Sequence, residues 1–398
     1  MTSEIIVALC TLILLAYVFD FTSGKTKIPS VILLLVLGYF VRQICNLLGV
    51  SLLNLQDILP ILGTIGLVLI VLEGSLELEL NSEKIPLIGK TLVVATVPVF
   101  LFSFLLAFIL QQVGGYDFKT CLSNAIPLSI ISSAIAIPSA RHFSKSNKEF
   151  VIYESSISDI IGVIFFNFVT LHSSFGLFTF GSFFLQILLI IIISFAATGG
   201  LSLLLSRIDH QIKFVPIIFL VILIYEVSKI LNLPSLVFIM VLGLFLNNLR
   251  DMRHMSWIQR LKPGTLHKEV QRFKEITIEA TFLVRALFFL MFGYLIHTQE
   301  LLNVDALIWS GGITAGIFVL RIIVLKFSRV DLVPLVFIAP RGLITVLLFL
   351  SVKPGLQIPL INRSVLIQII ILSSLMVMFG SLLNKNKEPA PATVKGTD

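Results

Sequence analysis

Glu154 and Asp159 are two carboxylates inside the stretch 149–172, EFVIYESSISDIIGVIFFNFVTLH, which is otherwise long and apolar enough to cross a bilayer. A carboxylate at membrane depth costs roughly 3 kcal/mol or more, so it is paired, hydrated or put to use. No Lys or Arg lies within a helical turn of Asp159. Its partner must come from another helix, or be a proton or a solute cation. We read Asp159 as a group that binds H+ and a metal cation in alternation; the other reading is a buried carboxylate satisfied by neighbouring polar groups. Glu154 lies five residues earlier, about 500° around a helix, so the two side chains leave on different faces. That separation suggests a division of labour, one carboxylate held in a permanent salt bridge and the other free to exchange ions. Arg321, late in the apolar run GGITAGIFVLRIIVLKF, is the expected partner of Glu154, in a buried pair that serves mainly as a registry device.

Two segments look built to supply further ligands. SNAIPLSIISSAIAIPSARHF carries Pro127 and Pro138 with Ser132-Ser133 between them, and VPLVFIAPRGLITVLLF carries Pro340-Arg341-Gly342 at mid-depth. Proline removes a backbone donor and glycine loosens a helix. Freed backbone groups at that depth are tolerated only where they line a cavity or are buried in protein. A pair of ordinary proline kinks is the plainer account of the same residues. Deprotonated Asp159 with Ser132, Ser133 and freed carbonyls would give the oxygen ligands that a hard cation prefers, and Arg341 would offset helix-end carbonyl dipoles.

The elements that must hold these groups are transmembrane helices. Of 398 residues, 57% are hydrophobic and 13% charged, which implies an all-α polytopic membrane protein and not a globular enzyme. The apolar segments match helices crossing roughly 30 Å of hydrocarbon. We place about thirteen, near 4–21, 28–49, 57–80, 84–113, 117–141, 149–172, 177–206, 212–230, 233–249, 276–298, 304–326, 330–352 and 362–384. No soluble domain or cofactor is expected, and the first segment reads as a span and not as a cleaved signal. The net charge of +7 is no sign of nucleic acid, because the cations gather in alternate short connections. That asymmetry puts the N-terminus outside and the C-terminus in the cytoplasm, in what we expect to be a bacterial inner (plasma) membrane. Cys10, Cys45 and Cys121 form no CxxC pair, so neither a disulfide nor a zinc site is expected.

A weak internal repeat underlies the spans. Ile28-Pro29-Ser30-Val31 leading to Leu37-Gly38-Tyr39-Phe40 recurs as Leu233-Pro234-Ser235-Leu236 leading to Leu242-Gly243-Leu244-Phe245. Leu72-Glu73-Gly74-Ser75-Leu76 matches Met291-Phe292-Gly293-Tyr294-Leu295, and the two proline-broken segments also correspond. The copies lie seven spans apart, an odd number, so the second must be inverted. Inverted repeats with two interrupted helices in matching positions mark a transport site near the midplane. The expected units are first-repeat scaffold helices in 1–83, first-repeat core helices in 84–172, and a linker helix in 173–211. Second-repeat scaffold helices follow in 212–303, then core helices in 304–384 and a tail in 385–398.

Other charges are less decisive. Glu73 and Arg285 are accessory candidates as readily as structural ones, as is Arg42, and Glu226 with Lys229 reads as a local pair. The basic connection 250–275 is amphipathic and bears Trp257, so we expect it on the cytoplasmic membrane surface against anionic lipid. A pH-sensing role for His254 and His267, with His142 and His210, is the rival reading.

These residues carry a resemblance. Glu154-Ser155-Ser156-Ile157-Ser158-Asp159, Leu72-Glu73-Gly74-Ser75-Leu76, Arg321 and Pro340-Arg341-Gly342 resemble motifs of the monovalent cation–proton antiporter superfamily, the sodium–proton exchangers and their potassium-linked relatives. The resemblance covers nearly all of the spans. It implies two crossing discontinuous helices and a homodimer whose core domain moves in an elevator-like step. It also implies that Asp159 is the ion and proton ligand, assisted by Ser155, and it supports the Glu154–Arg321 pair. Two departures matter: Ser158 stands where sodium exchangers usually have Asn or Asp, and Ser132-Ser133-Ala134-Ile135 stands where many carry Thr-Asp-Pro. The second is closer to the potassium-efflux branch, although no nucleotide-binding regulatory domain follows the last span.

The expected activity is therefore secondary active exchange of Na+, with Li+ as a further candidate, for H+. With Glu154 tied up and no second adjacent Asp, one proton per cation and electroneutral exchange are expected. K+/H+ antiport is the nearest alternative. A sodium-coupled organic-anion carrier and a non-transporting membrane sensor are alternatives of other kinds.

Overall fold

The computed structural model describes residues 2–48, 55–79, 84–141, 143–171, 177–207, 214–231, 233, 235–248 and 263–383. Much of the basic connection, with His142, His210, His254 and the tail, lies outside them, and so does the side chain of His267. Among the described residues the chain is helical and has no strand. The helices are α1 (Thr2–Thr26), α2 (Ser30–Leu48), α3 (Leu55–Ser75), α4 (Ile85–Gly114), α5 (Phe118–Ser129), α6 (Ser133–Ser139), α7 (Lys145–Leu171) and α8 (Leu177–Arg207). They continue as α9 (Phe214–Ile230), α10 (Ser235–Asn247), α11 (Pro263–Tyr294), α12 (Thr298–Leu301), α13 (Val304–Phe327), α14 (Leu343–Ser351) and α15 (Arg363–Leu383). Every expected span holds helix. Eight helices among the described residues are by length and composition able to cross a membrane. The chain is an all-α polytopic membrane protein.

Two spans are split. The fifth is α5, an extended step at Ile130–Ser132, and α6; the twelfth is a 3-10 turn at Leu335–Phe337, an unwound stretch, and α14. The tenth starts earlier than hydropathy places it, because α11 runs unbroken from Pro263. The second half of the basic connection is thus the first part of that helix.

The inverted repeat shows in the packing. If the halves are exchanged, α2 on α11 becomes α10 on α3, and α4 on α7 becomes α13 on α15; all four pairs are packed together. Both crossings of the first kind rest on glycine. A side chain on Gly38 would strike the Leu290 carbonyl oxygen, one on Gly293 that of Leu35, and one on Gly243 the Ser75 hydroxyl. Gly38→Ala should therefore destabilise the fold by about 1–3 kcal/mol, since backbone cannot step aside as a side chain can. Thermal unfolding in detergent checks this, and an unchanged midpoint would mean that α2 and α11 are not so closely apposed.

Helices α2, α3, α8, α10 and α11 pack mainly on one another, and so do α4, α5, α6, α7, α13 and α15. Contacts of α3 with α6, α7 and α14 join the two groups. The α5–α6 break lies in the second group, and α14 packs on both α3 and α5, so the two broken spans sit along this seam.

Candidate functional site

The two broken spans cross where each is unwound. Ile131 N–H donates to Ser158 Oγ at 3.0 Å, Ser132 N–H to the Pro340 carbonyl at 2.9 Å, and Ser133 N–H to Asp159 Oδ2 at 3.3 Å. Three successive donors are thus taken by other segments instead of by carbonyls one turn back in their own helix. That capture explains where the break falls. Pro127 and Pro138, which drew attention in the sequence, both sit inside helix, in α5 and α6.

Asp159 lies on α7 against the first residues of α6 and is 2% exposed. Besides the Ser133 amide, the Ser133 hydroxyl donates to the same oxygen, Oδ2, in a short bond. The other oxygen, Oδ1, has no hydrogen-bond partner among the described residues. No Lys, Arg or His pairs with this carboxylate among the described residues. Gly162, one turn on, leaves the room that Ile130 occupies at the break.

Ser132 and Ser155 are buried nearby in the fold. The Ser155 hydroxyl, on the turn of α7 before Asp159, donates back to the Val151 carbonyl at 2.7 Å and keeps its lone pairs for another donor or a cation. Neither Ser132 nor Ser155 makes a described hydrogen bond to Asp159. Ser158 sits beside Asp159 in the chain, and its acceptor role at Ile131 could not be read from residue type. Ser158→Ala should cost about 1–3 kcal/mol by stranding that buried N–H. Loss of thermal stability in detergent would register it, and an unaltered melt would show that the amide has another acceptor.

Glu154 and Arg321 form a two-pronged ion pair, with Nη1–Oε1 at 2.6 Å and Nη2–Oε2 at 2.9 Å. Arg321 also donates from Nε to the Leu335 carbonyl at 2.8 Å, at the 3-10 turn before the second break. Both side chains are buried. The pair spans α7 and α13 and fastens both to the second broken segment, leaving Asp159 outside it.

Arg341 occupies that break and pairs with no carboxylate among the described residues. It donates to the Leu128 carbonyl at 2.7 Å, that of Ser129 at 3.1 Å and that of Ala339 at 2.8 Å. The first two are at the end of α5, where carbonyls lack intrahelical donors and carry the negative end of the helix dipole. Arg42 likewise meets the Ile296 carbonyl at 3.0 Å, just past α11.

Glu73 and Arg285 interact electrostatically and belong to a separate ionic cluster. Arg285 Nη2 lies 3.6 Å from Asp20 Oδ1, Arg141 Nη1 lies 2.8 Å from Asp20 Oδ2, and the Ser30 hydroxyl donates to Asp20 Oδ1 at 3.1 Å. Asp20 was not singled out in the sequence, because a carboxylate near a span end passes for a solvated one. A clasp also joins the end of α3 to the start of α7. Lys84 bridges Glu79 and Glu149, and the Tyr153 hydroxyl donates to the Glu79 carbonyl at 2.6 Å. The Lys84 ammonium donates to Glu79 and holds its carboxyl below the usual range.

The arrangement offers one unpaired acid, hydroxyl oxygens and interrupted backbone at the crossing of two helices. The sequence matches the family described as sodium/hydrogen exchanger, transmembrane, over residues 9–384. The fold is similar to two structures of the sodium proton antiporter MjNhaP1 from Methanocaldococcus jannaschii. One, at pH 8, has a TM-score of 0.64 at 17% identity, covering 96% of each chain. The other, from an electron-microscopy map, has a TM-score of 0.70 at 17% identity, covering 96% of this chain and 95% of that one. The comparison with curated protein sequences gives no match.

Proposed function

We propose, from the premise that the chain belongs to the sodium/hydrogen exchanger family, that it exchanges Na+ for H+ at one shared site on Asp159. The observation that carries the reading is Asp159 itself, a buried carboxylate with one oxygen held by Ser133 and the other without a partner among the described residues. A monovalent cation would sit on that oxygen, completed by Ser132, Ser133 and Ser155 and by carbonyls at the breaks. Protonation cancels the charge and releases the cation. The Glu154–Arg321 pair keeps α7 and α13 in register and is not consumed in the cycle.

The core crosses the membrane only when Asp159 is neutralised, by a proton or by a cation, because a bare carboxylate is costly against an apolar barrier. The two packing groups support a scaffold and a moving core, and the family resemblance adds an elevator-like step within a homodimer. The first unit would hold α1–α3 and α8–α11. A single exchanging carboxylate favours one proton per cation, hence electroneutral turnover. We place the chain in a bacterial inner membrane with its N-terminus outside, the basic connection on anionic lipid, and a role in pH homeostasis. The family supports exchange over an organic-anion carrier or a sensor.

Proteoliposomes holding a pH-sensitive dye test this. Addition of Na+ should move the internal pH at the same rate with or without a valinomycin clamp, with Li+ following Na+. A response to K+ alone would transfer the reading to K+/H+ antiport, which the hydroxyl-lined break of α5–α6 keeps in view. A rate that changes with the clamp would exclude electroneutral exchange.

A further inference from the structure

Helix α7 carries Asp159 on one face and a void on the opposite one. A cavity of about 570 Å³ lies between α4, α5 and α7, in the size range of small-molecule sites. On α7 it is lined by Ile161, Ile164, Phe165 and Phe168, a stripe centred about half a turn from Asp159. On α4 it is lined by Thr96, Phe100 and Phe104, spaced four residues apart along one face. The rings of Phe100 and Phe104 lie 4.5 and 5.8 Å from that of Phe165, forming an aromatic wall.

Water is a poor occupant. The one side-chain hydroxyl on the lining is that of Thr96, which has no hydrogen-bond partner among the described residues, whereas a buried water needs two to four polar partners and apolar cavities stay dry. The cavity is not sealed: Phe104 is 43% exposed, and Leu101, Leu105 and Phe108 of the same helix are exposed beside it. In a membrane span this outward face meets lipid, so the opening is continuous with the hydrocarbon. The lining residues come from the middle of α4, the first turns of α5 and the second half of α7.

We propose that this cavity is an intramembrane site for one acyl chain of a membrane phospholipid. A flexible hydrocarbon chain can fill an irregular apolar volume without a polar contact, and it can enter sideways from the leaflet. Bound there, it would support α7 from behind while the front of the helix carries Asp159. The site is independent of which ion Asp159 binds.

The test uses the full chain in vesicles containing phosphatidylethanolamine with a photoactivatable diazirine in its acyl chain, followed by peptide mass spectrometry. Labelling should concentrate on 96–104 and 161–169, above the level on 184–193 of α8, which is exposed on its outer face and does not line this cavity. Ile164→Trp, or Leu122→Trp from the α5 wall, should abolish the excess and leave α8 labelling unchanged. Equal labelling of the cavity and α8 peptides in the wild-type chain would overturn the proposal, whether or not either variant folds. So would an excess that persists in a filled, folded variant. Loss of the excess on adding a free fatty acid at low concentration would overturn the phospholipid assignment.

Discussion

Asp159→Asn is expected to reduce cation-driven proton flux to the level of protein-free vesicles while leaving a folded protein. The substitution keeps the shape of the side chain, and an amide oxygen can still accept from the Ser133 amide and hydroxyl. What disappears is the ability to gain and lose a charge. Because the carboxylate is buried and half unsatisfied, its neutral replacement should melt at the same temperature or higher. The two readouts together separate this account from a trivial one: lost exchange with a lowered melt would be damage, and lost exchange with an unchanged melt is lost chemistry. Retained exchange would remove Asp159 from the mechanism.

Arg321→Ala is expected to have the largest effect on stability. It leaves Glu154 unpaired at 1% exposure and also strips a donor from the Leu335 carbonyl. Breaking a buried pair from one side costs about 3–5 kcal/mol, whereas replacing both partners by apolar groups is often close to neutral. The double variant Glu154→Leu, Arg321→Met should therefore recover most of the loss, since the Leu335 carbonyl still accepts from the Ile338 N–H at 3.1 Å. A thermal double-mutant cycle measures the coupling. The double variant should also retain exchange, because the pair holds helices in register and carries no ion. A folded double variant without exchange would place the pair on the ion path.

These residues also show how much could be read before the structure. Opposite charges in separate apolar spans have few ways to be satisfied, so buried carboxylates and arginines stand out by identity alone. The repeat was legible because close helix crossings need glycine, and Gly38 and Gly243 recur within matching neighbours. The position of the first break was not. Prolines mark where a helix loses a donor, but the unwound step falls at Ile130–Ser132, where α7 and the second broken span take the amides. Such acceptors are distant in sequence. The same holds for Asp20, whose partners Arg141 and Arg285 lie far along the chain. Ser158 was visible only as a departure from a motif, and its bond to Ile131 gives it a structural role at the break.

The central claim is that a proton and a cation compete for the same oxygen. The most direct measurement is the apparent affinity of the purified protein for Na+, and for K+ in parallel, as a function of pH. Competition at one carboxylate predicts that affinity falls as pH falls, approaching about tenfold per unit on the acidic side, by mass action. It should level off where the group is already deprotonated. A cation affinity that stays constant across the whole acidic range, in a protein that still exchanges, would contradict the account.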